Sequence, residues 1–188
     1  MTSMPRQLAT VAALTLVALS VTSARAGAPD HSPRLLALLH AYDQLPTAEA
    51  LRSAAGALPV EEALFQVAAD AELPVYPRQR ATTLMSAFIN EVTRAHLLTL
   101  AATAELQDVR WSAIYTFVRA VAPSDRAAAL TFAGTLLKSP HALDREAVIR
   151  SLRHVVGAEV DALVAAHQAK DPDATVQAAI RRFWQTRR

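Results

Sequence analysis

Val109-Arg110-Trp111-Ser112-Ala113-Ile114-Tyr115-Thr116-Phe117-Val118-Arg119-Ala120-Val121-Ala122 carries its apolar side chains in two stripes rather than one. Val109, Ala113 and Phe117 recur every four residues, and Trp111, Ile114, Val118 and Val121 form a second line beside them. Spacings of three and four put side chains on one flank of an α-helix, whereas a half-buried strand alternates every second residue. A helix that is apolar on two flanks needs neighbours on both, the situation of an interior helix in a stack.

The same spacing returns twice. Leu143, Ala147 and Ser151 lie 34 positions after the first set, and Val176, Ile180 and Trp184 lie 33 positions after the second. A weaker copy begins near Gln79, with Thr83 and Ala87 in the corresponding places. A period of this length with two helices per unit is the mark of a helical solenoid. In the last copy, Val176, Ile180, Phe183 and Trp184 fall on one side and Gln177, Arg181 and Gln185 on the other, which suits a terminal cap.

Asp108-Val109-Arg110 followed by Ala113, and Asp171-Pro172-Asp173-Ala174-Thr175-Val176-Gln177 followed by Ala178-Ala179-Ile180, resemble HEAT-like repeats of the phycobilisome-lyase type. The resemblance covers residues 78–184. It implies a short right-handed stack of antiparallel helix hairpins that offers a surface to a protein partner, and it carries over no catalytic residue. Leu143-Asp144 stands where a Val-Arg pair would be expected, and Gln177 replaces an arginine. Both departures argue against the family's inter-repeat aspartate–arginine contacts.

Proline punctuates the rest of the chain. Pro33, Pro46, Pro59, Pro74, Pro77, Pro123, Pro140 and Pro172 sit at the edges of apolar-periodic stretches, where a missing N–H costs least. The pattern predicts helices over 33–42, 47–57, 60–71, 78–88, 91–106, 109–122, 124–138, 142–155, 158–170 and 173–185, and no strand. Thr47, Ser124 and Asp171 are the expected N-caps. Short links at Pro123 and near Gly157 imply antiparallel hairpins. The fold class is therefore all-α, a short α-solenoid, with 27–75 as an N-terminal helical region that could cap it and 76–188 as the HEAT-like repeats.

Residues 1–26 read as a cleavable signal peptide. Arg6 precedes an apolar run from Leu8 to Val21, and Ala24-Arg25-Ala26 is a small-x-small triplet of the kind signal peptidases accept. The run is shorter than the roughly 20 residues of a membrane span. No twin arginine is present, which favours the general secretory route, and no cysteine follows the cleavage point to make a lipoprotein. The expected location is periplasmic or secreted.

The whole chain holds 19 basic and 17 acidic residues. Arg6 and Arg25 belong to the leader, so the mature part balances at 17 of each. Without a clustered positive excess there is no electrostatic case for a nucleic-acid partner. The absence of cysteine excludes disulfides, a thiolate nucleophile and a thiolate-ligated zinc. The fold must then rest on burial, which 52% hydrophobic content permits.

Chemistry-bearing patterns are sparse. His141, His154 and His167 recur every 13 residues, but a ligand pair on one helix needs a spacing of three or four, so no metal site is expected. His167 shares a face with Val160, Leu163 and Val164 and reads as half-buried and hydrogen-bonded. His31, His40 and His96 complete the set. Glu61 and Glu62 follow Pro59 in a helix's first turn, and Asp171 and Asp173 flank a proline, all four suited to capping. None of Gly27, Gly56, Gly134 and Gly157 forms a nucleophile elbow or phosphate loop. No catalytic, cofactor-binding or metal residues are therefore assigned, and no cofactor is expected.

At the C-terminus, Arg181-Arg182-Phe183-Trp184-Gln185-Thr186-Arg187-Arg188 invites an anionic-surface reading. The competing reading has the arginines complement the helix dipole while Phe183 and Trp184 pack inward, on the stripe of Val176 and Ile180. Membrane contact would be limited to an uncleaved leader or this basic end. The resulting expectation is an exported, non-enzymatic scaffold that binds a protein. The alternatives are a small envelope hydrolase with a groove-borne histidine–carboxylate site, or a carrier enclosing an apolar ligand.

Overall fold

The computed structural model describes residues 30–187. The leader read at 1–26 and Arg188 lie outside the described residues. Among the described residues ten α-helices follow one another: α1 (Pro33–His40), α2 (Ala48–Ala55), α3 (Val60–Ala69), α4 (Val75–Leu84), α5 (Glu91–Thr103), α6 (Gln107–Val121), α7 (Arg126–Leu136), α8 (Ala142–Leu152), α9 (Ala158–Gln168) and α10 (Ala174–Gln185). A 3₁₀ turn, Met85–Phe88, extends α4, and no strand occurs among the described residues.

Caps set the helix starts. Thr47 accepts from the Ala50 N–H at 3.1 Å as expected, and Ser32 and Asn90 cap α1 and α5 in the same way. Two expected caps move. Asp125 rather than Ser124 caps α7, accepting from Ala128 N–H at 3.0 Å, because the Ser124 hydroxyl turns back to the Val121 carbonyl. Asp173 rather than Asp171 caps α10, accepting from Thr175 and Val176 N–H. Helix α4 starts at Val75, before Pro77 instead of after it. The third position of a helix has no intrahelical N–H partner to lose, so proline is tolerated there.

The even-numbered helices pack in a row, α4 on α6, α6 on α8 and α8 on α10. A second set flanks them: α3 lies on α4, α5 on α6, α7 between α6 and α8, and α9 on α10. At the N-terminal end, α1 packs on α2 and α4. Helix α6 buries Val109, Ala113, Ile114, Phe117, Val118 and Val121, which is how a helix with neighbours on both flanks must be built.

Of the set Leu143, Ala147 and Ser151, the last two are buried as the spacing expects, whereas Leu143 is 39% exposed and its neighbour Asp144 is buried, with Val148, Ile149 and Leu152. On α4, Pro77, Ala81 and Met85 are buried, and Gln79, Thr83 and Ala87 are not. The fourth residue of each row helix is Arg78, Arg110, Arg145 or Gln177.

These four side chains share one task. Arg78 Nε donates to the Ala68 carbonyl at 3.1 Å, and Arg110 Nη1 donates to Ala104 and Glu105 at 2.8 and 2.9 Å. Arg145 Nη1 donates to Ser139 and Pro140, and Gln177 Nε2 to Gln168 and Asp171 at 2.8 Å each. Each row helix therefore satisfies carbonyls left over where the preceding helix ends. Gln177 keeps the role because an amide also donates. Aspartate–arginine contacts also link neighbouring segments, Arg110 lying 3.7 Å from Asp144 and Arg145 2.7 Å from Asp171.

Candidate interaction face

Helix α6 leaves one strip uncovered by either set of neighbours. Asp108, Trp111, Tyr115 and Arg119 succeed one another at three- and four-residue steps along it, with Ser112 beside Trp111, all half-buried or exposed. The matching strips of α4 and α8 supply Gln79 and Thr83 on one side and Ala147 and Arg150 on the other, and together they wall a groove of about 310 Å³. A second groove of about 250 Å³ shares Thr83 and Tyr115 and continues along Ser86, Thr116, Arg119 and Ala120.

Both aromatic rings are held in place. The Trp111 indole N–H donates to the Leu143 carbonyl at 2.6 Å, and the Arg150 guanidinium sits 5.7 Å from the indole ring. Glu146 fixes Arg150 by accepting from Nε and Nη2 at 2.9 and 2.6 Å. Arg119 stands 5.0 Å over the Tyr115 ring and donates to its hydroxyl at 3.3 Å. That hydroxyl also lies 2.9 Å from His154 Nε2, with the two rings edge to face. Burial, and then the nearby charges of Arg119 and Arg153, hold the His154 pKa below its ordinary value.

The sequence treats Trp111 as part of a buried stripe, but the structure places it half-buried at the groove, beside the truly buried Ile114, Val118 and Val121. Gln79 and Thr83, expected on a core-facing stripe, line the groove instead. The signal that locates the groove is an aromatic–arginine series at four-residue spacing, Trp111, Tyr115, Arg119, on the polar flank of α6.

Comparison with family models, curated proteins and solved structures gives no match. The face is therefore interpreted from its own chemistry.

The histidines scatter. His31 Nε2 lies 2.7 Å from Asp70, whose carboxylate is held below its usual pKa. Burial opposes that shift, and the bonds from His31 and the Glu72 N–H together with the charge of Arg78 outweigh it. His96 stacks on Phe65 with ring centroids 4.0 Å apart and lies 3.1 Å from Glu62. His40 is exposed in the last turn of α1, and His141 occupies the N-cap position of α8 without a side-chain cap bond. His167 is half-buried and lies 2.6 Å from Asp171. Among the described residues no three such side chains converge as a metal site would require.

The carboxylates divide by role. Glu61 and Glu62 lie in the first turn of α3, where Glu61 accepts from Asn90 and Glu62 from Gln66. Asp171 is a buried node rather than a cap. At the C-terminal end Phe183 is fully buried, and Trp184 is half-buried with its indole N–H on Gln168. Arg181 and Arg182 are exposed, whereas Arg187 pairs with Asp161 at 3.2 Å and donates to the carbonyls of Leu152 and Val155.

Proposed function

We propose that this protein is an exported, non-enzymatic helical-repeat scaffold whose α4–α6–α8 face binds a segment of another protein. The observation that carries this reading is the Trp111–Tyr115 groove, an open apolar-walled channel flanked by Arg119 and Arg150. Tryptophan, tyrosine and arginine are the side chains that most often dominate binding energy, the two aromatics because they bury a large area with little loss of conformational freedom and arginine through its fork of hydrogen-bond donors.

The row of helices with a recurring arginine or glutamine at the fourth position supports a short HEAT-like solenoid. In such an array each unit contributes one helix to a continuous binding face, and this groove spans three of them. Export rests on Arg6, the Leu8–Val21 run and Ala24-Arg25-Ala26. It places the scaffold in the periplasm or outside the cell.

Site-specific photocrosslinking in intact cells tests the function. A crosslinker at Ser112, in the groove, is expected to give a discrete protein adduct, and one at Thr131, exposed on α7, is not. Equal labelling from both positions overturns the assignment of the face. N-terminal sequencing of the protein from the envelope or medium tests export: a start at Gly27 is expected, and retention of Met1 refutes cleavage.

A further inference from the structure

The two grooves differ in character although they share Tyr115 and Thr83. The first is walled by Trp111, Tyr115, Ala147 and Arg150, and Asp108, the lining residue of α6 farthest from Arg119 along the helix, is acidic. The second is lined by the hydroxyl-bearing Thr83, Ser86, Tyr115 and Thr116 and ends at Arg119. From Asp108 to Arg119 is eleven residues of helix, about 16 Å at the α-helical rise. The channel thus runs from an acidic end across an aromatic floor to a basic end.

The basic end is unneutralised. Among the described residues the carboxylate-paired arginines are Arg94, Arg110, Arg126, Arg145, Arg150 and Arg187, and Arg119 is not among them. Arg119 spends one N–H on the Tyr115 hydroxyl, which also lies 2.9 Å from His154 Nε2. The guanidinium stands exposed at the end of the second groove, and a carboxylate is the acceptor whose geometry fits it.

We propose that the cluster of Arg119, His154 and the Tyr115 hydroxyl is a carboxylate-binding subsite, and that the protein segment held in the groove carries an acidic side chain there and an apolar one on Trp111. This rests on the protein-binding reading of the face and adds the chemistry of the partner. Trp111 and Arg119 are eight residues apart on one helix, about 12 Å. An extended peptide advances about 3.3 Å per residue, so the acid falls roughly two to four residues from the apolar anchor.

Random-sequence peptides displayed on phage, selected against the full chain, test this. The expected outcome is enrichment of peptides with a large apolar residue and an Asp or Glu two to four residues away. A synthetic peptide from that pool should lose about tenfold in affinity with Arg119→Gln, the scale of one charge-assisted hydrogen bond. It should lose a similar factor when its acid is replaced by the amide. Arg119 is exposed, so the variant should keep its melting temperature, and Lys at the same position should restore part of the affinity.

Enrichment that depends on Trp111 but shows no acid, or equal affinity for acid and amide peptides, overturns the carboxylate subsite and leaves the protein-binding face standing. No enrichment sensitive to Trp111→Phe or Trp111→Ala overturns both. Displacement of the peptide by inorganic phosphate at concentrations matching the peptide's own affinity would assign the cluster to a free anion and also overturn the proposal.

Discussion

Arg145 donates to both carboxylate oxygens of Asp171, from Nε to Oδ2 at 2.7 Å and from Nη2 to Oδ1 at 3.1 Å. His167 Nε2 lies 2.6 Å from Oδ2, and the Asp173 N–H donates to Oδ1 at 2.9 Å. The Asp171 side chain has no solvent exposure. A buried carboxylate so surrounded is fully satisfied, and it joins the fourth residue of α8 to the turn that opens α10. Asp171→Ala leaves Arg145 buried without its partner, a change that costs about 3–5 kcal/mol in comparable sites. Urea unfolding measures this directly, and a loss under about 1 kcal/mol would show that the node does not tie the two helices.

The same carboxylate makes a pH prediction. The hydrogen bonds from Arg145 pull the Asp171 pKa down to about 2, with burial opposing and the Asp173 N–H, His167 and the charge of Arg145 assisting. A depressed folded pKa stabilises the protein when the group is ionised, so the contribution is complete above the ordinary value of 3.8 and disappears as pH falls through about 2. The shift corresponds to about 2 kcal/mol. The stability difference between the wild type and Asp171→Ala should therefore narrow by about that much across this window, as measured by urea midpoints at stepped pH. A difference that stays constant there would contradict the shift.

Much of the fold is legible in the sequence, and the reason is simple periodicity. Apolar periodicity, helped by proline and capping residues at many of the ends, places the ten described helices to within a few residues, although α6 and α9 start with neither proline nor a side-chain cap. The packing of α8 is legible only in part, because Asp144 is buried, and a charged residue drops out of any apolar pattern. Ser139 and Arg110 accommodate it, a long-range arrangement that spacing along the chain does not reveal. The groove was hidden by the opposite effect. Trp111 and Tyr115 score as apolar, so periodicity assigns Trp111 to the core, and only the packing of α4 and α8 shows which rings stay open.

The exposure of Leu143 has its own test. Leu143 is 39% exposed, so Leu143→Ala should change stability by less than about 1 kcal/mol, as surface truncations do. Ile149 is fully buried, and Ile149→Ala should cost about 2–5 kcal/mol. Thermal or denaturant unfolding measures both, and a larger loss at Leu143 than at Ile149 would contradict the packing of α8.

Two glycines should respond with opposite sign. Gly157 has φ +148°, and a Cβ there would lie 2.6 Å from Arg126 Nη1 and 2.8 Å from the Glu159 carboxylate. Gly157→Ala should destabilise by about 1–3 kcal/mol through backbone strain and displacement of the Arg126–Glu159 pair. Gly134 lies inside α7, and its nearest neighbour would be Leu163 Cδ1 at 3.9 Å, an ordinary contact. Gly134→Ala should stabilise by about 0.5–1 kcal/mol, because alanine loses less backbone entropy in a helix. Melting temperatures moving in the same direction would refute the comparison.

His154 reports on the basic end of the groove. Burial is the first cause of its lowered pKa, and the charges of Arg119 and Arg153 follow. Burial is little altered by Arg119→Gln, whereas the repulsion from that guanidinium disappears, so the His154 pKa should rise towards its ordinary value of 6.5. Titration of the ring carbons by NMR measures it. The sign carries over to stability. A histidine whose folded pKa is depressed favours the folded state when neutral, so its contribution is present above pH 6.5 and lost as pH falls through the folded pKa. Arg119→Gln should flatten that dependence. An unchanged His154 titration in the variant would place Arg119 too far away to act on the imidazole, and the shared basic end of the groove would be lost with it.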